Sequence, residues 1–401
     1  MKHLISAFAF TIIGGVAFSQ TWEDRESLPA SADQRHHPIT FAIGNTGYLL
    51  TGTDAAYEAM SDFYAYDSEN DSWEEKTEFP GGKRGFGYGV TDGAKGYVGF
   101  GSFFNDVTFD FEEYNDLWEY DPVSDSWTEL SSCPCSGRSH PAMVLMDGKI
   151  FVGLGEDEFG DLDDWWEYDI ATDTWTEKTD FPSTRRHHPF YFGLGGEIYV
   201  GFGHHTSTIF NDFYKYNPAT DTWTTLNDFP GEGRVAGTQF SYLGKGYIIS
   251  GQGEDHENLS TGEFWEYDPA VDEWTELTAH PGGGRWAPGT FVIENEVYLA
   301  CGQGFTGEKR DLMVYTFPAF TNIEEDHADF EIFPNPSQGV VTFSSTENLP
   351  TNVQVMDASG RWIKTAAITQ NQLDLSDLTK GIYFIQLTVG ETIRTEKLII
   401  E

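Results

Sequence analysis

The stretch WEYDPVSDSW, residues 118–127, recurs along the chain. Its other copies are YAYDSENDSW (64–73), WEYDIATDTW (166–175), YKYNPATDTW (214–223) and WEYDPAVDEW (265–274). Two fragments of the phrase lie near the chain ends: Trp22 has no such phrase before it, and MVYTF (313–317) begins one without reaching a Trp. Recurrence of one phrase at a near-constant period indicates a repeat architecture.

The repeat has a measurable period and a fixed internal pattern. The final Trp residues are spaced by 51, 54, 48, 48 and 51 residues, at Trp22, Trp73, Trp127, Trp175, Trp223 and Trp274. A Pro follows each Trp by seven residues, and in five copies a Tyr precedes it by seven. An Arg follows by 11 residues in five copies and by 13 in the first, which gives the set Arg35, Arg84, Arg138, Arg186, Arg234 and Arg285.

Each unit of about 50 residues predicts four short strands. A strand-like stretch such as PAMVLMDG (141–148) is followed by a short apolar strand that ends in glycines, such as IFVGLG (150–155). A variable polar loop, the Tyr strand, a turn rich in Asp, Asn and Pro, and the Trp strand complete the unit. Four-stranded units arranged radially form a β-propeller.

The two fragments of the phrase predict how the ring closes. Tyr315 lies in a third strand that no Trp strand follows, and Trp22 lies in a Trp strand that no Tyr strand precedes. Together they complete one blade, so five whole units and this composite unit predict six blades. The fold class is therefore all-β, with a six-bladed propeller over residues 20–317 closed by the Trp22 strand.

The order of Arg, strand, glycine-ended strand, Tyr and Trp resembles the kelch repeat over about residues 21–317. The sequence departs from that family in one respect, because the usual glycine doublet is spread as Gly-x-Gly, as in Gly153-Leu154-Gly155. Kelch propellers include both enzymes and binding proteins, so the resemblance implies the fold without deciding the function.

The N-terminus predicts export. Residues 1–19 combine a basic Lys2, an apolar run and small residues before Gln20, which is the pattern of a cleaved signal peptide. No other stretch is long and apolar enough to span a bilayer, so the mature chain is expected to have no transmembrane segment.

The composition of the chain limits the classes of molecule that it is expected to bind. With 23 basic and 65 acidic residues the formal net charge is −42, which disfavours nucleic acid and anionic membrane surfaces as partners. The three cysteines, Cys133, Cys135 and Cys301, are too few for a disulfide scaffold, and their state stays open between free thiols, a small disulfide and metal ligands.

Beyond a polar linker at 318–328, residues 329–401 predict a small β-sandwich, because alternating strands are separated by Asn-Pro and Ser-Gly turns. FPNPSQG, MDASGR, LDLSDLTKGIYFIQL and EKLII occur there in order and resemble the C-terminal sorting domain of the type IX secretion system. The resemblance implies that 329–401 engages that machinery, and that the protein is secreted or displayed on the outer cell surface. An ordinary carbohydrate-binding sandwich is the alternative.

The loops from strand 4 to strand 1 and from strand 2 to strand 3 open on one face of a propeller, and they carry the candidate site. Nine of the 11 histidines fall in or beside these loops, and the first and fourth blades both carry RHHP, at 35–38 and 186–189. The predicted ligand-binding face comprises Arg35, His37, Arg84, Arg138, His140, Arg186, His188, His204, Arg234 and Arg285. Such a face suits an anionic or polyhydroxylated ligand. In the alternative interpretation, the arginines pair with acidic groups of neighbouring loops and serve the fold.

A metal site is not predicted, and no cofactor is assigned. Adjacent histidines of a strand point to opposite faces, so each His-His pair offers one ligand at most. The acidic loop 156–164 holds six carboxylates in nine residues and could bind calcium, although it lacks EF-hand spacing. A solvated acidic loop is the other interpretation.

These features predict a secreted binding module for extracellular glycan or protein, and they leave open whether the protein is an enzyme. Sialic-acid mutarotases are six-bladed kelch proteins, and that analogy makes His37, His140 or His188 proton-transfer groups and the arginines a carboxylate clamp. Galactose-oxidase-like chemistry is disfavoured because the sequence has no Tyr-His dipeptide. A structural, adhesin-like role is the third interpretation. Ligand identity, surface anchoring and oligomeric state are not determined.

Overall fold

The computed structural model describes residues 21–105, 107–318, 330–345, 352–357, 362–389 and 392–400. The predicted signal peptide and residues 319–328 of the predicted linker lie outside these residues. The regular secondary structure of the described residues is entirely β-strand. Within them, no helix is long and apolar enough to cross a membrane.

Six four-stranded antiparallel sheets form the blades of a propeller, which confirms the predicted fold. The first strand of each blade contacts the first strands of its two neighbours, so these six strands surround the central axis. From the inner to the outer strand, the blades comprise Ile39–Ile43, Thr46–Leu50, Phe63–Asp67 and Ser72–Glu75; Tyr88–Thr91, Gly96–Gly99, Leu117–Asp121 and Ser126–Leu130; Ala142–Met146, Lys149–Gly153, Trp165–Asp169 and Thr174–Lys178; Phe190–Leu194, Glu197–Gly201, Phe213–Asn217 and Thr222–Thr225; Thr238–Tyr242, Lys245–Ile249, Gly262–Asp268 and Glu273–His280; and Gly289–Ile293, Glu296–Ala300, Leu312–Thr316 and Trp22–Arg25.

The sixth blade is the composite one. Its outer strand Trp22–Arg25 pairs antiparallel with Leu312–Thr316, and Trp22 lies opposite Tyr315. The ring is therefore closed by strands from both ends of the propeller sequence, as the two fragments of the phrase predicted.

The recurring phrase links each blade to the one before it, as blade 3 shows. Tyr168 lies opposite Trp175, with ring centroids 5.0 Å apart. The Tyr168 hydroxyl donates to Asp173 at 2.6 Å, and Asp173 also accepts from the backbone N–H of Ser131 in blade 2 at 2.9 Å. The Trp175 indole N–H donates to the Ser131 carbonyl at 2.7 Å. The Trp side chains of four other copies make the same bond to the preceding blade, so the recurring phrase supplies contacts at the junctions between blades.

The Gly-x-Gly pattern, as in Gly153-Leu154-Gly155, has a structural reason at its second glycine. Gly155 has φ +90°, and its N–H donates to the Arg186 carbonyl of the next blade at 3.0 Å. A Cβ at this position would lie 2.5 Å from the Ser139 carbonyl oxygen, so only glycine fits there. The same interblade bond joins Gly52 to Arg84, Gly101 to Arg138, Gly203 to Arg234, Gly251 to Arg285 and Gly302 to Arg35.

Four of the loops between strands 2 and 3 contain short two-stranded hairpins. They comprise Ser102–Asn105 with Asp110–Glu113, Glu156–Asp157 with Gly160–Asp161, His204–His205 with Thr208–Ile209, and Gln303–Gly304 with Gly307–Glu308. One of these hairpins carries the candidate site residue His204.

The cysteines divide between two environments. Cys133 and Cys135, whose state the sequence left open, form a disulfide. Cys301 is a buried free thiol at the end of the second strand of blade 6, and burial raises its pKa to about 12. A thiol with so high a pKa stays protonated and unreactive at neutral pH.

The C-terminal unit is one curled seven-stranded sheet. Trp362–Thr369 pairs with Asn352–Asp357 along its length and with Gln372–Asp374 at its end, so the sheet folds over a single core. That core includes Val341, Phe343, Val355, Leu373 and Ile385. In sheet order, the strands are Phe330–Phe333, Val340–Ser345, Gln372–Asp374, Trp362–Thr369, Asn352–Asp357, Gly381–Val389 and Thr392–Ile400.

Candidate functional site

The six predicted arginines are buried and paired with carboxylates. Arg138 is fully buried, and its two terminal nitrogens contact the two Asp164 oxygens at 2.6 and 2.8 Å. The Arg138 guanidinium also donates to the Leu154 carbonyl at 3.0 Å. In the order of Arg35, Arg84, Arg138, Arg186, Arg234 and Arg285, the partners are Asp62, Asp116, Asp164, Asp212, Glu263 and Asp311. This is the structural arrangement that the sequence had left as an alternative to a carboxylate clamp.

Two residues beyond each Arg, the chain turns around the propeller axis. All six of these residues have positive φ, between 46° and 63°: His37, Phe86, His140, His188, Ala236 and Ala287. Backbone bonds connect neighbouring positions, as from the His37 N–H to the Ala287 carbonyl at 2.9 Å and from the His140 N–H to the Phe86 carbonyl at 2.9 Å. The left-handed backbone thus brings one side chain per blade together at one end of the central channel.

Three of these side chains form an axial histidine cluster, defined as His37, His140 and His188. The Nε2 atoms of His37 and His188 lie 3.0 Å apart across the ring. The His140 ring centroid lies 3.5 Å from that of His188 and 5.1 Å from that of His37. One nitrogen from each residue falls within 4.8 Å of the others. The structure therefore brings together three of the predicted site histidines and separates them from the paired arginines.

The axial histidine cluster is buried and short of hydrogen-bond partners. Each of the three residues is 6% exposed. In the described part of the chain, His140 Nδ1, His140 Nε2 and His188 Nδ1 have no hydrogen-bond partner. Burial, and then the neighbouring imidazoles, hold the pKa of all three side chains well below 6.5. The rings are consequently neutral at neutral pH and have lone pairs available.

The other predicted histidine, His204, lies beside the cluster rather than in it. It pairs through its backbone with His187, and their ring centroids are 3.9 Å apart. Its Nδ1 lies 3.3 Å from Nε2 of His256 on the next blade. Asp161 contacts Nδ1 of His187 and lies 2.5 Å from Nδ1 of His205. The four histidines His187, His204, His205 and His256, together with Asp161, form an outer group on the loop side of the axial cluster.

The acidic loop 156–164, where calcium was an alternative, has its carboxylates directed to different partners. Asp161 contacts His187 and His205, and Asp164 pairs with Arg138. Glu156 lies 3.4 Å from His140 Nδ1. Calcium binding stays one of the two interpretations of this loop, and these cationic and imidazole partners account for three of its carboxylates.

A central cavity of about 320 Å³ lies along the propeller axis. All six inner strands line it, and His37, His188, Ala236 and Ala287 border it at the cluster end. At the other end the lining includes the exposed Ser241. The cavity is large enough for a small molecule, and the axial cluster bounds it on the loop side.

Exposed aromatic side chains on the loops between strands 2 and 3 were not foreseen from the sequence. Tyr57, Phe109, Phe159 and Phe305 are 48%, 78%, 87% and 62% exposed, and each belongs to a different blade. The loop face is defined here as the face formed by these loops and the loops between strands 4 and 1. A single large apolar residue in an otherwise polar loop, as in EDEFGD (156–161), was the available signal.

Comparisons with known proteins place both units of the chain. A family model described as Attractin/LZTR1 beta-propeller matches residues 48–314, and one described as secretion system C-terminal sorting domain matches residues 331–401. The N-acetylneuraminate epimerase of Pasteurella multocida (strain Pm70) is 31% identical over 141 residues, which are 35% of this chain and 35% of that protein. The chain thus aligns with about a third of this curated relative.

The fold also resembles a solved structure. The structure of YjhT superposes with a TM-score of 0.61 and 16% sequence identity, covering 74% of this chain and 98% of that chain. A likeness at this identity concerns the fold alone.

Proposed function

Since the chain belongs to the Attractin/LZTR1 β-propeller family and ends in a type IX secretion sorting domain that directs its export, we propose that the propeller is a binding module. Its loop face takes a protein ligand at the cell surface or in the extracellular space. The observation that carries this proposal is the exposure of large apolar side chains on loops of separate blades, namely Tyr57, Phe109, Phe159 and Phe305.

Exposed phenylalanines have a cost in water that a binding partner relieves. Phe109 and Phe159 project from hairpin loops of neighbouring blades with most of their surface accessible. Burying apolar area stabilises a complex by roughly 25 cal/mol per Å² before the costs of association are counted. Aromatic residues are enriched in protein–protein interfaces, and binding residues are found disproportionately on loops that a rigid scaffold positions.

The charge of the loop face indicates the chemistry of the partner. Glu113, Glu156 and Glu158 lie close enough to interact on the hairpins of blades 2 and 3. Burial, and then the charges of the neighbouring carboxylates, raise the pKa of Glu113 to about 7. A partner that brings Lys or Arg next to its apolar contacts would relieve this repulsion. Because the predicted arginines are paired internally, the same face offers less to an acidic sugar.

The test compares apolar residues of the two faces. Phe109→Ser/Phe159→Ser/Phe305→Ser removes aromatic groups from the loop face, and the matched control Val123→Ser/Val271→Ser removes exposed apolar groups from the turns between strands 3 and 4. Both variants and the unaltered protein are screened by biolayer interferometry against arrays of extracellular proteins and glycans.

We expect a protein ligand whose affinity falls at least about tenfold in the Phe variant, about 1.4 kcal/mol, and stays unchanged in the Val control. Binding to glycans alone would contradict the proposed class of ligand. Equal affinity of both variants for a protein ligand would contradict the assignment to the loop face.

A sugar-directed enzyme is the second candidate, favoured by the partial match to an N-acetylneuraminate epimerase. The central cavity, bordered by His37 and His188, is where a small acidic sugar would bind. The test is one-dimensional exchange NMR of N-acetylneuraminate with the protein present. Catalysed exchange between its anomers that is lost in His188→Ala would support this candidate, and exchange at the uncatalysed rate would contradict it.

A further inference from the structure

We propose that the axial histidine cluster binds one divalent transition-metal ion of the zinc type, held by imidazole nitrogens of His37, His140 and His188. The inference concerns the propeller axis and is independent of which ligand the loop face takes. Imidazole is a preferred ligand of zinc, copper and nickel, and three histidines with a fourth open position form a common arrangement for zinc.

The spacing of the nitrogens fits a shared ion. Zinc–nitrogen bonds of about 2.0–2.1 Å at a tetrahedral angle place two ligand nitrogens roughly 3.3 Å apart. His37 Nε2 and His188 Nε2 are 3.0 Å apart, and the three ligating nitrogens lie within 4.8 Å of one another. The His140 ring centroid lies 3.5 Å from that of His188, at an interplanar angle of 36°, so His140 is close enough to supply the third ligand.

Hydrogen bonding alone leaves the cluster incomplete. One N–H···N bond can join His37 to His188, but both ring nitrogens of His140 and Nδ1 of His188 are buried without a partner in the described residues. The nearest carboxylate, Glu156, is 3.4 Å from His140 Nδ1 and outside hydrogen-bond geometry. Buried polar atoms nearly always have a partner, so the two unpartnered nitrogens of His140, beside the His37–His188 pair, are available to bind a cation.

Neighbouring groups orient the ligands and leave one side open. His37 Nδ1 lies 2.7 Å from His36 Nδ1, so a proton on His37 Nδ1 directs the lone pair of Nε2 toward the axis. His37 and His188 also border the central cavity. An ion in the cluster would therefore have its fourth position toward that cavity, where water or an oxygen ligand could bind.

The outer group of histidines is the less suitable site. His187 and His204 can form a three-nitrogen set with His188, but Nδ1 of His187 is engaged by Asp161 and Nδ1 of His204 contacts His256. Both residues are also more exposed than the axial histidines. Among the three-ligand sets of the described residues, only the axial set has all three members buried.

The experiment uses the exported chain purified without a polyhistidine tag, stripped with EDTA, and titrated with Zn²⁺ by isothermal calorimetry. The variants are His37→Ala, His140→Ala, His188→Ala and the triple substitution. Alanine suits this backbone, because blades 5 and 6 carry Ala236 and Ala287 at the same position with φ of 49° and 46°. His280→Gln, which removes a buried histidine away from the axis, is the matched control.

We expect one Zn²⁺ per chain for the unaltered protein and for His280→Gln, at least about a hundredfold weaker binding for each single variant, and none for the triple variant. Co²⁺ should give the visible absorption of a tetrahedral site only where Zn²⁺ binds. Circular dichroism of the metal-free proteins identifies variants that remain folded. Equal Zn²⁺ affinity in the folded triple variant would overturn the proposal, as would binding that depends on His204 and not on His37.

Discussion

The Nε2 atoms of His37 and His188 lie 3.0 Å apart although 151 residues separate them in the chain. The two residues occupy the same position in blades 1 and 4, which are opposite one another in a ring of six. Direct contact across the axis requires the six turns that carry these residues to close tightly on themselves. The geometry of the axial cluster is thus a property of the whole ring, and it depends on ring closure.

Closure predicts a large effect of the N-terminal strand on stability. The Trp22 ring packs against Tyr315 at 5.4 Å and Phe264 at 5.7 Å, and its N–H donates to the Thr278 carbonyl at 3.0 Å. Trp22→Ala should lower the free energy of unfolding by about 3 kcal/mol, the lower end for buried aromatic truncations, because Trp22 is partly exposed.

Thermal melts measure the effect of Trp22→Ala, with Glu23→Ala as the control on the same strand. The Glu23 side chain is 64% exposed, so its removal should leave the melting temperature nearly unchanged. Equal melting temperatures of the two variants would contradict the importance of the composite blade.

The buried Arg–Asp pairs predict that substitutions at the neighbouring residues Asp164 and Asp163 differ strongly in their effect on the free energy of unfolding. Asp164→Asn leaves the guanidinium of the fully buried Arg138 without its charge partner and should cost about 3–5 kcal/mol. Asp163→Asn is the control, because Asp163 is 41% exposed and lies 3.8 Å from Arg185. Urea titration at pH 7 measures both variants, and similar midpoints would refute a structural role for the pair.

The Arg138–Asp164 pair also predicts that the protein loses stability at acidic pH. Burial alone would raise the pKa of Asp164, but the hydrogen bonds and charge of Arg138 outweigh burial and lower it below 3.8. The stability that the carboxylate contributes is therefore present above pH 3.8 and is lost as pH falls through its lowered pKa. In Asp164→Asn this part of the acid dependence should be missing from urea midpoints measured between pH 5 and pH 2.

His280 predicts a second dependence on pH, at milder acidity. Burial lowers its pKa from 6.5 to about 4, and its ring nitrogens lie 3.0 Å from Ser250 Oγ and from the Pro281 carbonyl. Its stabilising contribution is present above pH 6.5 and is lost as pH falls toward 4, up to about 3 kcal/mol. His280→Gln should show a smaller change in the urea midpoint between pH 7 and pH 4.5, and an unchanged difference would disprove this assignment.

Two glycines of blade 3 allow the stability cost of backbone strain to be measured separately from the cost of steric contact. Gly148 and Gly155 have φ of +75° and +90°, but a Cβ at Gly148 meets nothing within 4 Å, whereas one at Gly155 lies 2.5 Å from Ser139 O. Gly148→Ala should cost about 1 kcal/mol from the left-handed backbone. Gly155→Ala should cost about 1–3 kcal/mol more, because the interblade bond to Arg186 must shift. Equal costs in chemical denaturation would rule out the close approach as the reason for glycine.

The histidine pairs show how much of the candidate site could be predicted from the sequence. Strand alternation predicted at most one metal ligand from each His-His pair, whereas His187 and His188 both belong to one three-nitrogen set with His204. Strand alternation also did not single out His37 and His188. It could not place His140 against them, because that contact joins three blades. The exposure of Phe109 and Phe159 could not be predicted with certainty from the sequence either, since the fold of a loop decides whether a large apolar residue in it is buried or exposed.

The all-β class, the number of blades, the composite sixth blade and the C-terminal sorting domain could all be predicted from the amino-acid sequence. Those features rest on short-range patterns, in which Tyr, Asp and Trp recur at spacings that strands and turns dictate. The tertiary structure was needed to show that the arginines pair inward with carboxylates and that three histidines meet on the axis. Both outcomes depend on distances between residues of different loops and blades, which exist only after the ring has closed.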